Sequence, residues 1–222
     1  NLKIIEDCAE AIGTQFNDSP VGTFGDVSTF SFFGNKTITT GEGGMVLFKE
    51  ELSYEKAKLI KNHGMSESKK YWHEVVGNNY RMTNMQAAIG LAQLERIDEI
   101  ISKKRYLASL YTNGLKDVDE IELFPEENKQ KFHSNWLYTV VFKNAKDKDA
   151  VKNFLQSINI DTRPMFYPLS DMPIYSKFSN KGLINSKSLS YRGLSFPSSF
   201  NLEKEDVTKI VKNIKKFLKS KK

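Results

Sequence analysis

Lys36 stands between two patterns that could make it reactive. It follows the aromatic run Thr29-Phe30-Ser31-Phe32-Phe33 and precedes the turn Gly41-Glu42-Gly43-Gly44, and further upstream a short apolar run ends at Asp7. A lysine held beside an aromatic strand has its charged form disfavoured by desolvation, which supplies the neutral amine that Schiff-base chemistry needs. The competing reading is a surface lysine in a turn, as most lysines are. Asp7 has a similar alternative as a strand-end turn residue, and Ser31 as an ordinary strand serine. The four-residue glycine turn leads into the apolar run Met45 to Phe48 rather than into a helix, and Glu42 would repel an anion. It therefore reads as a tight turn after the lysine and not as a phosphate cradle.

The elements that would position these residues follow from the hydrophobic pattern. Short apolar runs at Leu2 to Ile5, Val27 to Phe33, Met45 to Phe48 and Trp136 to Phe142, each bounded by Gly, Asn or charge, predict strands. Thr83-Asn84-Met85-Gln86 has the spacing of a capping box and opens a long amphipathic helix, with Ile89, Leu94, Ile97, Ile100 and Ile101 on one face, running to about Leu110. Beyond Asn113-Gly114 comes a polar segment, Asp119 to Lys131, that carries Pro125. A helix with Val151, Phe154, Leu155 and Ile158 follows, then the extended Asp161-Thr162-Arg163-Pro164. The last helix aligns Val207, Ile210, Val211, Ile214, Phe217 and Leu218. The order predicts an α/β portion over 1–110 and a smaller α+β domain over 111–222.

Composition narrows the classes of function. With 222 residues, 39% of them hydrophobic, the chain can bury a sizeable core. No apolar run approaches the roughly 20 residues of a membrane span. The lone Cys8 excludes an internal disulfide, the three histidines have no metal-ligand spacing, and a reducing cytoplasm is the expected compartment. The net charge of +6 falls mostly in the last helix: Glu203 to Lys222 holds eight Lys against Glu203, Glu205 and Asp206, or 8 − 3 = +5. That reads as a solvated lysine-rich face and not as a nucleic-acid patch.

Longer motifs go further. Glu6-Asp7-Cys8-Ala9-Glu10-Ala11-Ile12-Gly13, Ser31 to Gly44, Gly77-Asn78-Asn79-Tyr80-Arg81-Met82, Gln93-Leu94-Glu95-Arg96 and Arg163 to Pro168 resemble, in order, the signature blocks of the DegT/DnrJ/EryC1/StrS aminotransferases. The resemblance runs from residue 1 to the last helix. It implies a fold-type-I transferase dependent on pyridoxal 5'-phosphate. Lys36 then corresponds to the lysine that holds the cofactor as a Schiff base and moves a proton between the substrate carbon and the cofactor. Asp7 corresponds to the carboxylate on the pyridine nitrogen, since a protonated ring is the electron sink and an adjacent anion keeps it protonated. Ser31 corresponds to a donor to the cofactor phosphate. Asn79 corresponds to a residue that reaches the phosphate in a neighbouring subunit, which implies a homodimer with shared active sites.

Glu10 is a departure, because glutamine or histidine is usual there, facing the cofactor's phenolic oxygen. Lys36 itself favours amine transfer, since relatives that remove a hydroxyl carry histidine at that position. The blocks around Lys36, Tyr71 to Val76 and Thr162 to Pro168 look most like the branch that aminates carbon 4 of a nucleotide-linked 4-keto-6-deoxyhexose with glutamate as donor. Tyr167-Pro168-Leu169-Ser170 departs from that branch's pattern, which has a histidine there. His73, Arg81, Phe166 and Tyr167 are candidates for the substrate side, though an aromatic pair beside proline is more often packing. Amination at carbon 3, or a silent regulatory relative, are the alternatives. In the family, a segment N-terminal to the block at Asp7 supplies the phosphate cradle and further strands of the large-domain sheet. The expectation is therefore a C-terminal part of the enzyme, inactive alone, with an exposed sheet edge prone to association.

Overall fold

A computed structural model describes residues 2–124, 130–178 and 182–221. In chain order the elements are β1 (Ile5–Asp7), β2 (Gln15–Phe16), β3 (Ser19–Pro20), β4 (Val27–Ser31), β5 (Gly44–Phe48), α1 (Glu51–Lys61), α2 (Asn84–Leu94), α3 (Ile97–Leu115), β6 (Ile121–Glu122), β7 (Lys131–Phe132), β8 (Tyr138–Phe142), α4 (Ala145–Ser157), β9 (Arg163–Pro164), α5 (Ile184–Arg192), β10 (Gly193–Phe196) and α6 (Lys204–Ser220). Pro125, noted in the sequence, lies outside the described residues. Among the described residues no helix is long and apolar enough to cross a membrane. The chain divides into two compact units, Asn1–Ile101 with Glu127–Trp136, and Ser102–Glu126 with Leu137–Lys222.

In the first unit, β4 is the centre of a mixed three-stranded sheet, parallel to β1 and antiparallel to β5. A second small sheet has the order β3-β2-β7. The Glu6 carboxylate organises the turn between β3 and β4 by accepting from the backbone N–H groups of Gly22, Phe24 and Gly25. These bonds, that from Gly25 foremost, hold its carboxyl below the usual carboxylate range. The sheet is poorly covered. Ile5 on β1 and the successive Met45, Val46 and Leu47 on β5 are all exposed, and because strand side chains alternate, β5 is open on both faces.

The expected single helix from Thr83 to about Leu110 is two helices. The capping box forms as read, with Thr83 accepting from Gln86 N–H and Gln86 reaching back to Thr83 N–H. Glu95 N–H still reaches Leu91 O, but at Arg96 the reach shortens to i→i−3, its N–H donating to Gln93 O, and α3 starts at Ile97. The apolar face is also divided. Ile100 and Ile101 are buried, but Ile89 and Leu94 are exposed, because α2 packs through Gln86, Gly90 and Gln93 instead.

The second unit carries the main core. Its antiparallel sheet has the order β6-β8-β10-β9, and β10 is buried along its whole length. Leu107, Tyr111 and Leu115 of α3, Val151 and Leu155 of α4, and Val207, Ile210, Ile214 and Leu218 of α6 join Val140, Phe142, Leu194 and Phe196 in one cluster. The last helix is therefore the packed amphipathic helix that its pattern predicts, and Phe217 at its edge stacks on Phe154 of α4 with ring centroids 4.4 Å apart. Ile158, expected on the α4 face, is instead the C-cap of that helix and is exposed, while Asn144 is its N-cap.

Candidate active site

The site is built on the end of β4. Parallel pairing sets Asp7 opposite Thr29, and Ser31 lies two residues further along β4, so Asp7, Thr29 and Ser31 share a sheet face. Asp7 Oδ1 accepts from Ala9 N–H at 3.1 Å, the turn role open to a strand-end aspartate, while Oδ2 has no hydrogen bond among the described residues. Ser31 Oγ accepts from Phe33 N–H at 3.3 Å and retains its own proton for donation.

After β4 the chain makes a closed loop around Lys36. Phe32 N–H donates to Gly43 O, Thr40 N–H to Phe32 O, and Lys36 N–H to Phe33 O. The glycine turn closes it: Gly41 and Gly43 have φ of 81° and 145°, and Gly44 pairs with Ser31 to open β5. A Cβ on Gly44 would meet Phe30 O at 2.6 Å, so no side chain fits there. Helix α2 grips this loop with two glutamines. Gln93 accepts from Thr39 N–H at 3.0 Å and donates to Thr39 O at 2.7 Å, and Gln86 donates to Glu42 O at 3.1 Å. Between them Gly90 lets the helix approach, for a Cβ there would stand 2.8 Å from Thr40 Cγ2. Residues 86, 90 and 93 lie on one helical stripe.

Lys36 points inward from this loop, its side chain only 13% exposed. Its Nζ lies 3.4 Å from Glu10 Oε1 and 4.3 Å from the centre of the Trp136 ring. Trp136 is buried, and its Nε1–H donates to Asn35 O at 2.8 Å. The aromatic wall beside the lysine thus includes an indole exactly one hundred residues later in the chain, which the sequence reading took only as the start of a strand. Gln86, Gly90 and Gln93 were missed in the same way, although a polar and small stripe at i, i+4, i+7 on an apolar helix is a legible signal.

The other candidates are dispersed. Asn79 is exposed in a segment that runs back along the end of α1, where it forms a bridge with Asn62. The exposed His73 has Nδ1 2.8 Å from His63 O. Arg81 lines a cleft with Tyr54, Lys58, Asn62 and Glu74. Phe166 and Tyr167 belong to the second unit and are both exposed. Phe166 lies under the Arg163 guanidinium at 4.9 Å, and Tyr167 packs 5.8 Å from Tyr191. Among the described residues no His, Cys, Asp and Glu cluster is arranged to hold a metal.

Residues 1–215 match the model of the DegT/DnrJ/EryC1/StrS aminotransferase family. The chain is 44% identical over 221 residues to the GDP-perosamine synthase of Escherichia coli O157:H7, covering all of this chain and 60% of the relative. It is 46% identical over 219 residues to that of Vibrio cholerae, covering 97% of this chain and 59% of the relative. It thus spans about 60% of the length of these curated relatives. Among solved structures, Helicobacter pylori PseC, an aminotransferase of pseudoaminic acid biosynthesis, superposes with a TM-score of 0.92 at 28% identity, over 99% of this chain and 60% of the other. The fold is that of the pyridoxal phosphate-dependent sugar aminotransferases, and pyridoxal phosphate is the cofactor of the family. The residues present suit that group: an inward lysine amine for its aldehyde, a carboxylate oxygen with no hydrogen bond among the described residues for its ring nitrogen, and a serine hydroxyl on the same sheet face. On its sequence, its fold and the residues gathered around Lys36, the chain belongs to the DegT/DnrJ/EryC1/StrS aminotransferase family.

Proposed function

We propose that the complete protein transfers an amino group from glutamate to a nucleotide-linked 4-keto-6-deoxy sugar, in the manner of a GDP-perosamine synthase. The observation that carries this reading is the held lysine: Lys36 Nζ between Glu10 and Trp136, in a loop fixed by Gln86 and Gln93 at the end of the strand that bears Ser31. The identities of 44% and 46% to GDP-perosamine synthases support the sugar class. Amination at carbon 3 and a silent regulatory role are not favoured, and a silent protein has no chemical need for the lysine.

When bound, pyridoxal phosphate supplies an aldehyde for amine capture and a ring that draws off the electron pair left at the substrate carbon. Lys36 Nζ would hold the cofactor and, as the free amine, would carry the proton from the donor carbon. Asp7 Oδ2 keeps the ring nitrogen protonated, because a neighbouring anion favours the charged form. Ser31 Oγ would donate to the phosphate, and Glu10 would face the phenolic oxygen. His73, Arg81, Phe166 and Tyr167 serve the sugar nucleotide.

In this reading residues 1–110 are the remainder of the large cofactor-binding domain and 111–222 are the small C-terminal domain. A second copy completes the site through Asn79. The outward face of α2 supports a homodimer: Met85, Ile89, Leu91 and Leu94 are all exposed, an apolar area that a soluble helix normally covers. The test is to incubate the complete protein with pyridoxal phosphate, glutamate and a GDP-linked 4-keto-6-deoxyhexose and analyse the product by mass spectrometry and NMR. An amine at carbon 4 is expected. A ketone left unchanged while glutamate and cofactor are saturating would sink the reading.

A further inference from the structure

Lys36 must be free for part of each catalytic cycle, since the incoming amine displaces it. A long cationic side chain released in a site has to go somewhere, and it competes for the carbon it has just left. Two groups meet its amine in this structure. The Glu10 carboxylate lies at 3.4 Å, and the face of the Trp136 indole at 4.3 Å is within the range of a cation–π contact. Trp136 is a fixed surface: it is 6% exposed, and its ring nitrogen is tied to the backbone of the residue just before the lysine by the 2.8 Å bond to Asn35 O. The ring is therefore aligned with the loop that carries Lys36. Glu10 is the residue that departs from the family's usual glutamine or histidine.

We propose that Trp136 and Glu10 form a berth for the released Lys36 amine, and that Trp136 is a positioning residue acting through the lysine. The inference rests on the reading that Lys36 carries the cofactor. In the displacement, the nitrogen of a primary amine adds to the carbon bonded to Lys36 Nζ and a new carbon–nitrogen bond forms. The double bond from that carbon to Nζ is thereby replaced by one to the incoming nitrogen; counted from the incoming ammonium, its three protons end on Nζ, which leaves as an ammonium, so atoms and charge balance and nothing is oxidised or reduced. The berth stabilises only the product side, where Nζ is free. Removing it shifts the balance back towards attachment of Lys36. General damage to the site would do the opposite and loosen the cofactor.

The experiment uses the complete holoenzyme and methylamine as the displacing amine, with the cofactor absorbance as the readout. In the wild type, borohydride reduction and peptide mapping first identify the labelled lysine. Trp136→Leu is expected to need about tenfold more methylamine for half-displacement. Trp136→Phe, which keeps a ring face, is expected to fall between the two. Glu10→Gln, which keeps the shape and loses the charge, is expected to shift in the same direction as Trp136→Leu, and it carries the test if the leucine variant does not fold. Half-displacement at the wild-type concentration or below, in Trp136→Leu or in Glu10→Gln, overturns the berth alone when the wild-type label is on Lys36. A wild-type label on another lysine overturns the underlying reading and the berth with it.

Discussion

Lys104 is a buried cation with a single partner. It is 6% exposed, and its Nζ donates to Ser198 O at 2.9 Å with no carboxylate paired to it among the described residues, so burial lowers its pKa from 10.5 to about 8. The sign of the linkage follows. Between about 8 and 10.5 the unfolded chain binds a proton that the folded chain does not, so the stability of the fold rises with pH across that window. Below about 8 both states are charged and the full penalty is present. Lys104→Met is expected to stabilise the fold at neutral pH by about 2 kcal/mol, after allowance for the lost hydrogen bond to Ser198 O. It is also expected to abolish the rise with pH, and thermal melts of both proteins at several pH values check this. A variant that melts lower than wild type at every pH would show that the lysine is paired in solution. At the same scale, Lys36→Ala is expected to reduce amino transfer by at least about 10²-fold through loss of the proton carrier, and Asp7→Asn to weaken it severely. Steady-state rates on the complete protein check both. Wild-type turnover in the asparagine variant would remove Asp7 from the ring nitrogen. Asp7, Glu10 and Ser31 could be singled out because their motifs are local, and the structure brings Glu10 to Lys36. Trp136 could not be, since nothing in a sequence links positions one hundred apart without the fold that joins them.

At the scale of elements, α2 is the instructive case. Its start was legible from Thr83 and Gln86, because capping is local chemistry. Its orientation was not, because periodicity finds an apolar stripe and assumes that the stripe faces the core. Here the inward, half-buried stripe is Gln86, Gly90 and Gln93, of which the glutamines bond the backbone of the lysine loop, and the apolar residues are left outward. The break after Leu94 escaped notice for a related reason: no Gly or Pro marks it, and Glu95 and Arg96 are good helix formers. The grip of α2 leads to a prediction. Gly90→Val would place a branched side chain where even a Cβ stands 2.8 Å from Thr40 Cγ2, and it should push the lysine loop away from α2. The expected result is loss of most of the cofactor on gel filtration, with the helical circular dichroism of wild type. Full cofactor retention would show that the loop holds its shape without α2. The short strands β2, β3, β6 and β7 were unread, each being only two residues long, too short for any alternation to show, whereas β9 falls in the stretch read as extended.

The whole molecule is well packed in one unit and open in the other. The core around Leu107, Phe142, Leu194 and Ile214 is closed, whereas the sheet β1-β4-β5 exposes Ile5, Met45, Val46 and Leu47. The chain spans about 60% of the length of its curated relatives. Bare apolar strands of this kind invite association. Residues 1–222 expressed alone are therefore expected to self-associate and to lack aminotransferase turnover, as sedimentation and the glutamate assay would show. A monodisperse protein turning over at about 1 per second or faster would contradict this.

The proposed activity and the berth for Lys36 both turn on one covalent assignment, that Lys36 is the residue that holds pyridoxal phosphate. The direct measurement is borohydride reduction of the complete, cofactor-loaded protein, followed by proteolysis and mass spectrometric mapping of the pyridoxyl group. The account predicts a single label, on the peptide containing Asn35-Lys36-Thr37. A label on any other lysine, with Lys36 unmodified, would contradict it.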